Sequence, residues 1–300
     1  MDQRRRELLG ALAGLALMDA ASAREAMQVR AVPSSGEQLP VIGIGTWQTF
    51  DVGGDAAARG PLKEVLRAFF DGGGRVVDSS PMYGSSESVV GDLCSELGIC
   101  APLFLATKVR TRGREAGVRE MQRSIERMRA GRMDLMQVHN LLDVETHTQT
   151  LREWKAQKRV RYIGITHYTA SAYAEVERWL KTKQYDFLQI NYSLAESASE
   201  QRLLPLAQQL GVAVIANRPF AEGAMFRRVR GKPLPPWAAE LGIASWAQYF
   251  LKWIVSHPAV TCAIPGTGKP EHMADNLAAG MGALPDEVQR RRMAQTFASL

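Results

Sequence analysis

Eight times along the chain a short apolar run gives way, within a few residues, to a stretch with the three-to-four-residue spacing of an amphipathic helix, and that alternation leaves few folds open. The runs occupy 41–47, 75–80, 103–109, 133–140, 162–168, 187–193, 212–220 and 261–265. The helical stretches after them occupy 62–70, 87–97, 117–128, 148–157, 170–180, 200–210, 245–256 and 270–279. Strand then helix, repeated with short connections, demands parallel pairing, so the class is α/β. Eight units predict one closed (β/α)8 TIM barrel rather than a doubly wound sheet. Ahead of them, 28–32 and 38–39 flank Pro33-Ser34-Ser35-Gly36 and read as an N-terminal β-hairpin. A barrel of this kind uses about 250 residues, so 24–300 reads as a single domain. The one sizeable insertion, 221–242, is rich in Gly, Pro and Arg and is placed to overhang the barrel mouth.

Three successive apolar runs close on residues that carry chemistry. Val76 and Val77 lead to Asp78 and, five residues later, Tyr83. Lys108 closes the run 103–109, and His139 closes 133–140. Pro81 and Gly84 break the first of these strands, and Ser85 or Ser86 is placed to cap the helix that Glu87 opens. Singly, each has a bland explanation: Asp78 caps a turn, Tyr83 packs on the surface, and His139 is a satisfied core histidine. A lysine at the end of a buried run needs a charged partner, however, because an unpaired ammonium is costly to desolvate. Together the four form the kind of set that parallel barrels gather at the C-terminal ends of their strands.

Asp78, Tyr83, Lys108 and His139, with the early strand Gly43-Ile44-Gly45-Thr46-Trp47, resemble the tetrad and first strand of the aldo-keto reductase superfamily. The similarity runs from about Met27 to the C-terminus. It implies NADPH as cofactor, with NADH possible, and a small-molecule carbonyl substrate that receives a hydride at carbon while Tyr83 protonates its oxygen. Lys108 would lower the phenol from its ordinary pKa of ~10. Asp78 would hold Lys108 charged, and His139 would donate a hydrogen bond to the substrate oxygen. The hairpin would plug the barrel bottom.

The resemblance also assigns cofactor-binding positions, several with departures. Thr46 and Trp47 lie on the first strand. Thr166 and His167 stand where the family has a Ser-Asn pair that touches the carboxamide, and Gln189 matches the family glutamine for the same amide. Asn217 occupies the place of a Tyr that stacks on the nicotinamide ring. Arg218 is new in its position and is placed for either the pyrophosphate or an anionic substrate. The segment 264–276 resembles the nucleotide loop and helix start, where backbone N–H groups form a phosphate site. Thr267 and Asn276 match, the latter toward adenine. Gly266 and His272, however, replace a Lys and an Arg that grip the 2′-phosphate in many relatives, leaving Lys269 as the compensating cation. The tail beyond Ala279 is short, which implies a less enclosed substrate pocket.

Other classes compete with this one. A metal-dependent barrel hydrolase would use His139, His167 and Asp78 as ligands. A Schiff-base lyase would use Lys108, and a nucleotide-sensing or partner subunit would use the fold alone. The net charge is +6, but the basic residues fall in short groups such as 110–114, 227–230 and 290–292 without interleaved aromatics, so no nucleic-acid partner is expected. No apolar run has the length of a membrane span, and a monomer or weak oligomer is expected. Cys94, Cys100 and Cys262 lack metal-ligand spacing. Cys94 and Cys100 could pair, but free thiols are the expectation. Residues 1–23 run from Arg4-Arg5-Arg6 through a modestly apolar stretch to Ala21-Ser22-Ala23, the order of a secretory signal, and the paired arginines resemble a twin-arginine signal. That reading places the mature chain in the periplasm; the other is a cytoplasmic protein with an N-terminal helix.

Overall fold

The apolar runs pair in chain order. The computed structural model describes residues 26–300. In it β3 (Ile44–Gly45), β4 (Val76–Asp78), β5 (Phe104–Val109) and β6 (Met133–His139) are followed by β7 (Val160–Thr166), β8 (Phe187–Asn191), β9 (Ala213–Asn217) and β10 (Val260–Ala263), all in one parallel sheet in that spatial order. The last strand returns to the first. The Gly43 N–H donates to the Ala263 carbonyl (2.8 Å), and the Ala263 N–H donates to the Val41 carbonyl (2.9 Å). Closure joins the two edges of the eight-stranded sheet to each other. The first strand is shorter than the expected 41–47. Only Ile44 and Gly45 pair with β4, and Thr46 already turns the chain by accepting from Phe50.

Helices cover the outside: α1 (Ala56–Asp71), α2 (Ser86–Leu97), α3 (Arg114–Arg127), α4 (Val144–Ala156), α5 (Tyr173–Leu180), α6 (Leu203–Leu210), α7 (Ala224–Arg228), α8 (Trp246–Val255), α9 (Pro270–Ala278) and α10 (Glu287–Ala298). α1 starts six residues before the expected 62 because the Asp55 carboxylate accepts from the Ala57 N–H and caps it, with Pro61 absorbed inside the helix. Neither serine caps α2 through its side chain. Ser85 instead accepts from the Gly53 N–H (2.8 Å) and donates to Asp51 (2.8 Å), tying the loop before α1 to the loop after β4. The insertion 221–242 is not irregular throughout: it carries α7 and a 3-10 turn at Pro236–Leu241.

The core has two parts. Helix faces such as Val65, Leu66 and Phe69 of α1 and Tyr249, Phe250 and Trp253 of α8 pack on the outward residues of the strands. Inward residues at the lower end, Val76, Phe104, Tyr162, Phe187 and Ile215, fill the barrel against Val32 and Leu39. Each large apolar side chain so buried contributes ~1.5–3 kcal/mol relative to exposure. Val32 and Leu39 belong to the hairpin of β1 (Val29–Ala31) and β2 (Gln38–Pro40), which thus plugs the barrel floor.

Cys94 and Cys100 are joined as a disulfide, against the expectation of free thiols. Gly98 ends α2 in the left-handed conformation (φ +69°) and folds the chain back, bringing the two Cα atoms to 4.9 Å. Spacing alone could not reveal that turn. Cys262 is free and buried.

Candidate active site

At the upper end of the barrel the inward residues become polar. Asp78 ends β4 and Lys108 lies one residue before the end of β5; both are buried. The Lys108 ammonium donates to Asp78 Oδ2 (2.6 Å) and to the Ser79 carbonyl (2.7 Å). Two side-chain amides, Gln189 (2.7 Å) and Gln137 (3.2 Å), donate to the other carboxylate oxygen. Asp78 is therefore fixed from three sides. Burial opposes the charge on Lys108, but Asp78 and Tyr83 outweigh it and hold the ammonium above the ordinary lysine range.

Tyr83 hangs over this pair from the loop after β4. Its ring centroid is 5.0 Å from Lys108 Nζ and meets the His139 ring edge-on at 6.1 Å. The loop depends on Gly84 (φ +57°), where an added Cβ would strike the Asp51 carboxylate at 2.2 Å. The expected lowering of the phenol does not occur. Desolvation raises the Tyr83 pKa by more than the charge of Lys108 lowers it, and the net shift is upward. Tyr83 is a protonated phenol at neutral pH.

His139 closes β6 with Nδ1 3.0 Å from Ser80 Oγ. Burial first, then the charges of Lys108 and Arg110, push its pKa down to about 2, so the ring is neutral. Thr46 is buried at the end of the first strand, its hydroxyl 3.0 Å from both the Asp78 carbonyl and Ser79 Oγ.

These groups form one wall of a cavity of about 670 Å³ lined also by Trp47, Thr166, Gln189, Asn217, Arg218 and Gly266. Thr166 donates to Gln189 Oε1 (3.2 Å), so both polar ends of that glutamine are already engaged. Asn217 donates weakly to the His167 carbonyl (3.5 Å), and its buried Oδ1 has no protein partner. Arg218 adopts a left-handed backbone (φ +52°), and its guanidinium lies between Glu222 (3.2 Å) and Glu196 (3.6 Å). His167 does not line the cavity. Its Nδ1 accepts the backbone N–H groups of Tyr168 (3.0 Å) and Thr169 (3.3 Å) and its ring stacks on Tyr168, so it shapes the loop rather than facing a ligand. Thr267, Lys269, His272 and Asn276 also lie outside the cavity, the first three around the start of α9 and Asn276 in its last turn. Thr267 and Asn276 are buried, whereas Lys269 and His272 are exposed. The Thr267 hydroxyl accepts from the Lys269 N–H (3.1 Å), and no side chain caps α9.

Among the described residues no group of three His, Cys, Asp or Glu could hold a metal ion, and His139, His167 and Asp78 do not converge as the hydrolase alternative requires. Lys108, protonated and spent on two acceptors, is not disposed to form a Schiff base.

A sequence model of the Aldo/keto reductase family matches residues 41–292, a span that covers all eight strands of the barrel. The chain belongs to the aldo/keto reductase family. A methylglyoxal reductase from Escherichia coli, YeaE, is 28% identical over 260 residues, which is 84% of this chain and 89% of that protein. An aldo/keto reductase from Klebsiella pneumoniae in complex with NADPH superposes with a TM-score of 0.74 at 25% identity, covering 92% of this chain and 95% of the other. Another from the same organism, in complex with NADP and acetate, gives 0.73 at 25% identity over 87% and 93% of the two chains. Eight parallel strands and the N-terminal hairpin are those expected of an aldo/keto reductase.

Sequence reasoning missed Gln137, Ser80 and Arg110. Gln137 was accessible: it stands two residues before His139 on a strand and so shares its inward face.

Proposed function

We propose that the chain is an NADPH-dependent carbonyl reductase, with NADH as a weaker alternative, converting an aldehyde or ketone to an alcohol. The observation that carries this is a protonated Tyr83, a neutral His139 and Asp78 lining one cavity, with Lys108 buried behind them and paired to Asp78. When bound, the reduced nicotinamide supplies the hydride to the carbonyl carbon. Tyr83 gives its proton to the carbonyl oxygen, and Lys108, kept charged by Asp78, stabilises the phenolate left behind. His139 carries its proton on Nε2, with the Ser80 hydroxyl donating to Nδ1, and hydrogen-bonds the oxygen as negative charge develops.

The chain's own groups fit such a cofactor. The unpartnered Asn217 Oδ1 and Thr166, two strands away on the same cavity, suit a carboxamide. Gln189 serves it less directly, since its amide orients Asp78. Thr46, Trp47 and Gly266 line its path, and Arg218 is placed beside it, restrained by two glutamates. The open start of α9 with Thr267, Lys269 and His272 suits phosphate, and Asn276 the adenine side.

Nicotinamide fluorescence on titration with NADPH, followed by reduction of an aldehyde, tests the reading. Tyr83→Phe is expected to lower kcat by ~100-fold or more and to leave the nucleotide titration close to that of the parent. A variant that keeps a tenth of the parental kcat would remove Tyr83 as the acid.

We also propose export. The signal-like segment 1–23 lies outside the described residues, but a disulfide suits an oxidising compartment, and no helix of the described residues is long and apolar enough to cross a membrane. Protein from the native host is expected to lack residues 1–23; full-length protein confined to the cytoplasm would contradict this.

A further inference from the structure

The charges around the cavity do not cancel evenly. Asp78 is matched by Lys108, and Arg218 by Glu222 and Glu196. Arg110 lines the same cavity, and its guanidinium has no acceptor among the described residues. Only its backbone is engaged, the N–H donating to Glu120 (2.6 Å).

Its place follows from the strands. Arg110 follows the last residue of β5, two residues on from Lys108 and one step nearer the mouth, and it lines the cavity. Lys108 pairs with Gln137 and Val109 with Val138, which sets Arg110 level with His139 on the neighbouring strand, about 5 Å away along the sheet. The charge of Arg110 is also among the influences that hold His139 neutral. The start of α9, where phosphates are expected, follows β10, three strands away around the ring, so Arg110 faces the substrate side of the mouth. Trp47, Tyr168, Phe220 and Phe226 provide flat apolar walls beside it.

We propose that Arg110 is a carboxylate receptor and that the preferred substrates are carbonyl compounds carrying a carboxylate, held by a bidentate guanidinium contact while the carbonyl oxygen lies between Tyr83 and His139. The inference rests on the reductase reading and narrows it to a substrate class. A planar fork suits a carboxylate, and the aromatic walls suit a short or flat carbon skeleton between the two functional groups.

The matched pair 4-carboxybenzaldehyde and methyl 4-formylbenzoate tests it, because the two share a skeleton and differ in charge, and the ester, being the more electrophilic aldehyde, is favoured wherever no group recognises the carboxylate. With NADPH, the parent is expected to show kcat/KM about tenfold or more higher for the carboxylate, the factor a charge-assisted contact gives, mainly through KM and diminished by added salt. Arg110→Met should bring the ratio down to about unity or below whatever happens to the two rates, and Arg110→Lys should restore part of it. No preference in the parent, or an unchanged ratio in Arg110→Met, overturns the inference and leaves the reductase standing. If the parent reduces neither aldehyde with NADPH or NADH, the reductase reading falls and the inference with it. Arg110 is exposed, so neither substitution disturbs the core.

Discussion

Asp78 is the residue that organises the site, and the groups around it separate stability from activity. Gln137 gives Asp78 one hydrogen bond at 3.2 Å, yet its own Oε1 is buried with no protein partner. A buried unpaired acceptor costs about 1–3 kcal/mol, so Gln137→Leu should leave the melting temperature unchanged or raise it. The looser Asp78–Lys108 pair should lower kcat several-fold with little change in nucleotide affinity. Calorimetry and steady-state kinetics on one preparation check both halves, and a variant both less stable and fully active would contradict the argument. The pH dependence follows from the shifted groups. Reduction needs the protonated phenol, present below its raised pKa and lost as pH rises through it, and needs neutral His139, lost only on acidification toward about 2. The rate kcat/KM is therefore expected to be flat from about pH 6 to 9, with its alkaline limb above the ordinary tyrosine value of ~10. A limb near neutrality would show that Lys108 outweighs burial. Asp78, Lys108 and His139 were legible because charged or titratable groups rarely close apolar runs. The direction of the Tyr83 shift was not, since it depends on how deeply the loop buries the ring.

At the scale of elements, the hairpin shows how a distant segment is held without touching the chemistry. Arg161 on β7 pairs with Glu37 from the hairpin and with Asp134 on β6 (2.7 Å), and Tyr162 donates to the same Glu37 (2.5 Å). Arg161→Met would leave the Glu37 and Asp134 carboxylates without their shared cation in a partly buried place, at a cost of about 1–3 kcal/mol. The contact is at the barrel floor, opposite the cavity, so urea denaturation should shift while kcat stays within about twofold, in keeping with the division of barrel ends between stability and catalysis. Loss of activity in folded protein would show that the plug reaches the site. The hairpin was legible from Pro33-Ser34-Ser35-Gly36 between two short runs, but its network was not, since Glu37 and Arg161 are 124 positions apart. The start of α1 and the Cys94–Cys100 bond were misread for a local reason: the Asp55 cap and the Gly98 turn act through backbone geometry that residue spacing does not reveal.

Across the whole molecule, the eightfold alternation made the barrel legible, and the barrel then decided which strand ends meet. What it did not decide is the ledge outside the mouth, where the proposed function puts the choice of nucleotide. The cavity ends at Gly266, and beyond it α9 begins at Pro270 with backbone N–H groups that no side chain caps. Lys269 and His272 are both exposed there. An exposed lysine beside a helix N-terminus still attracts a 2′-phosphate, but without the forked grip of arginine and with more screening by salt. The expected result is a preference for NADPH over NADH in kcat/KM that is modest, about one to two orders of magnitude, as befits one charge-assisted contact. Lys269→Ala should erase most of it by raising KM for NADPH while leaving NADH unchanged, and higher salt should weaken NADPH alone. A preference for NADH in the parent enzyme, or an equal effect of Lys269→Ala on both nucleotides, would place the 2′-phosphate contact elsewhere.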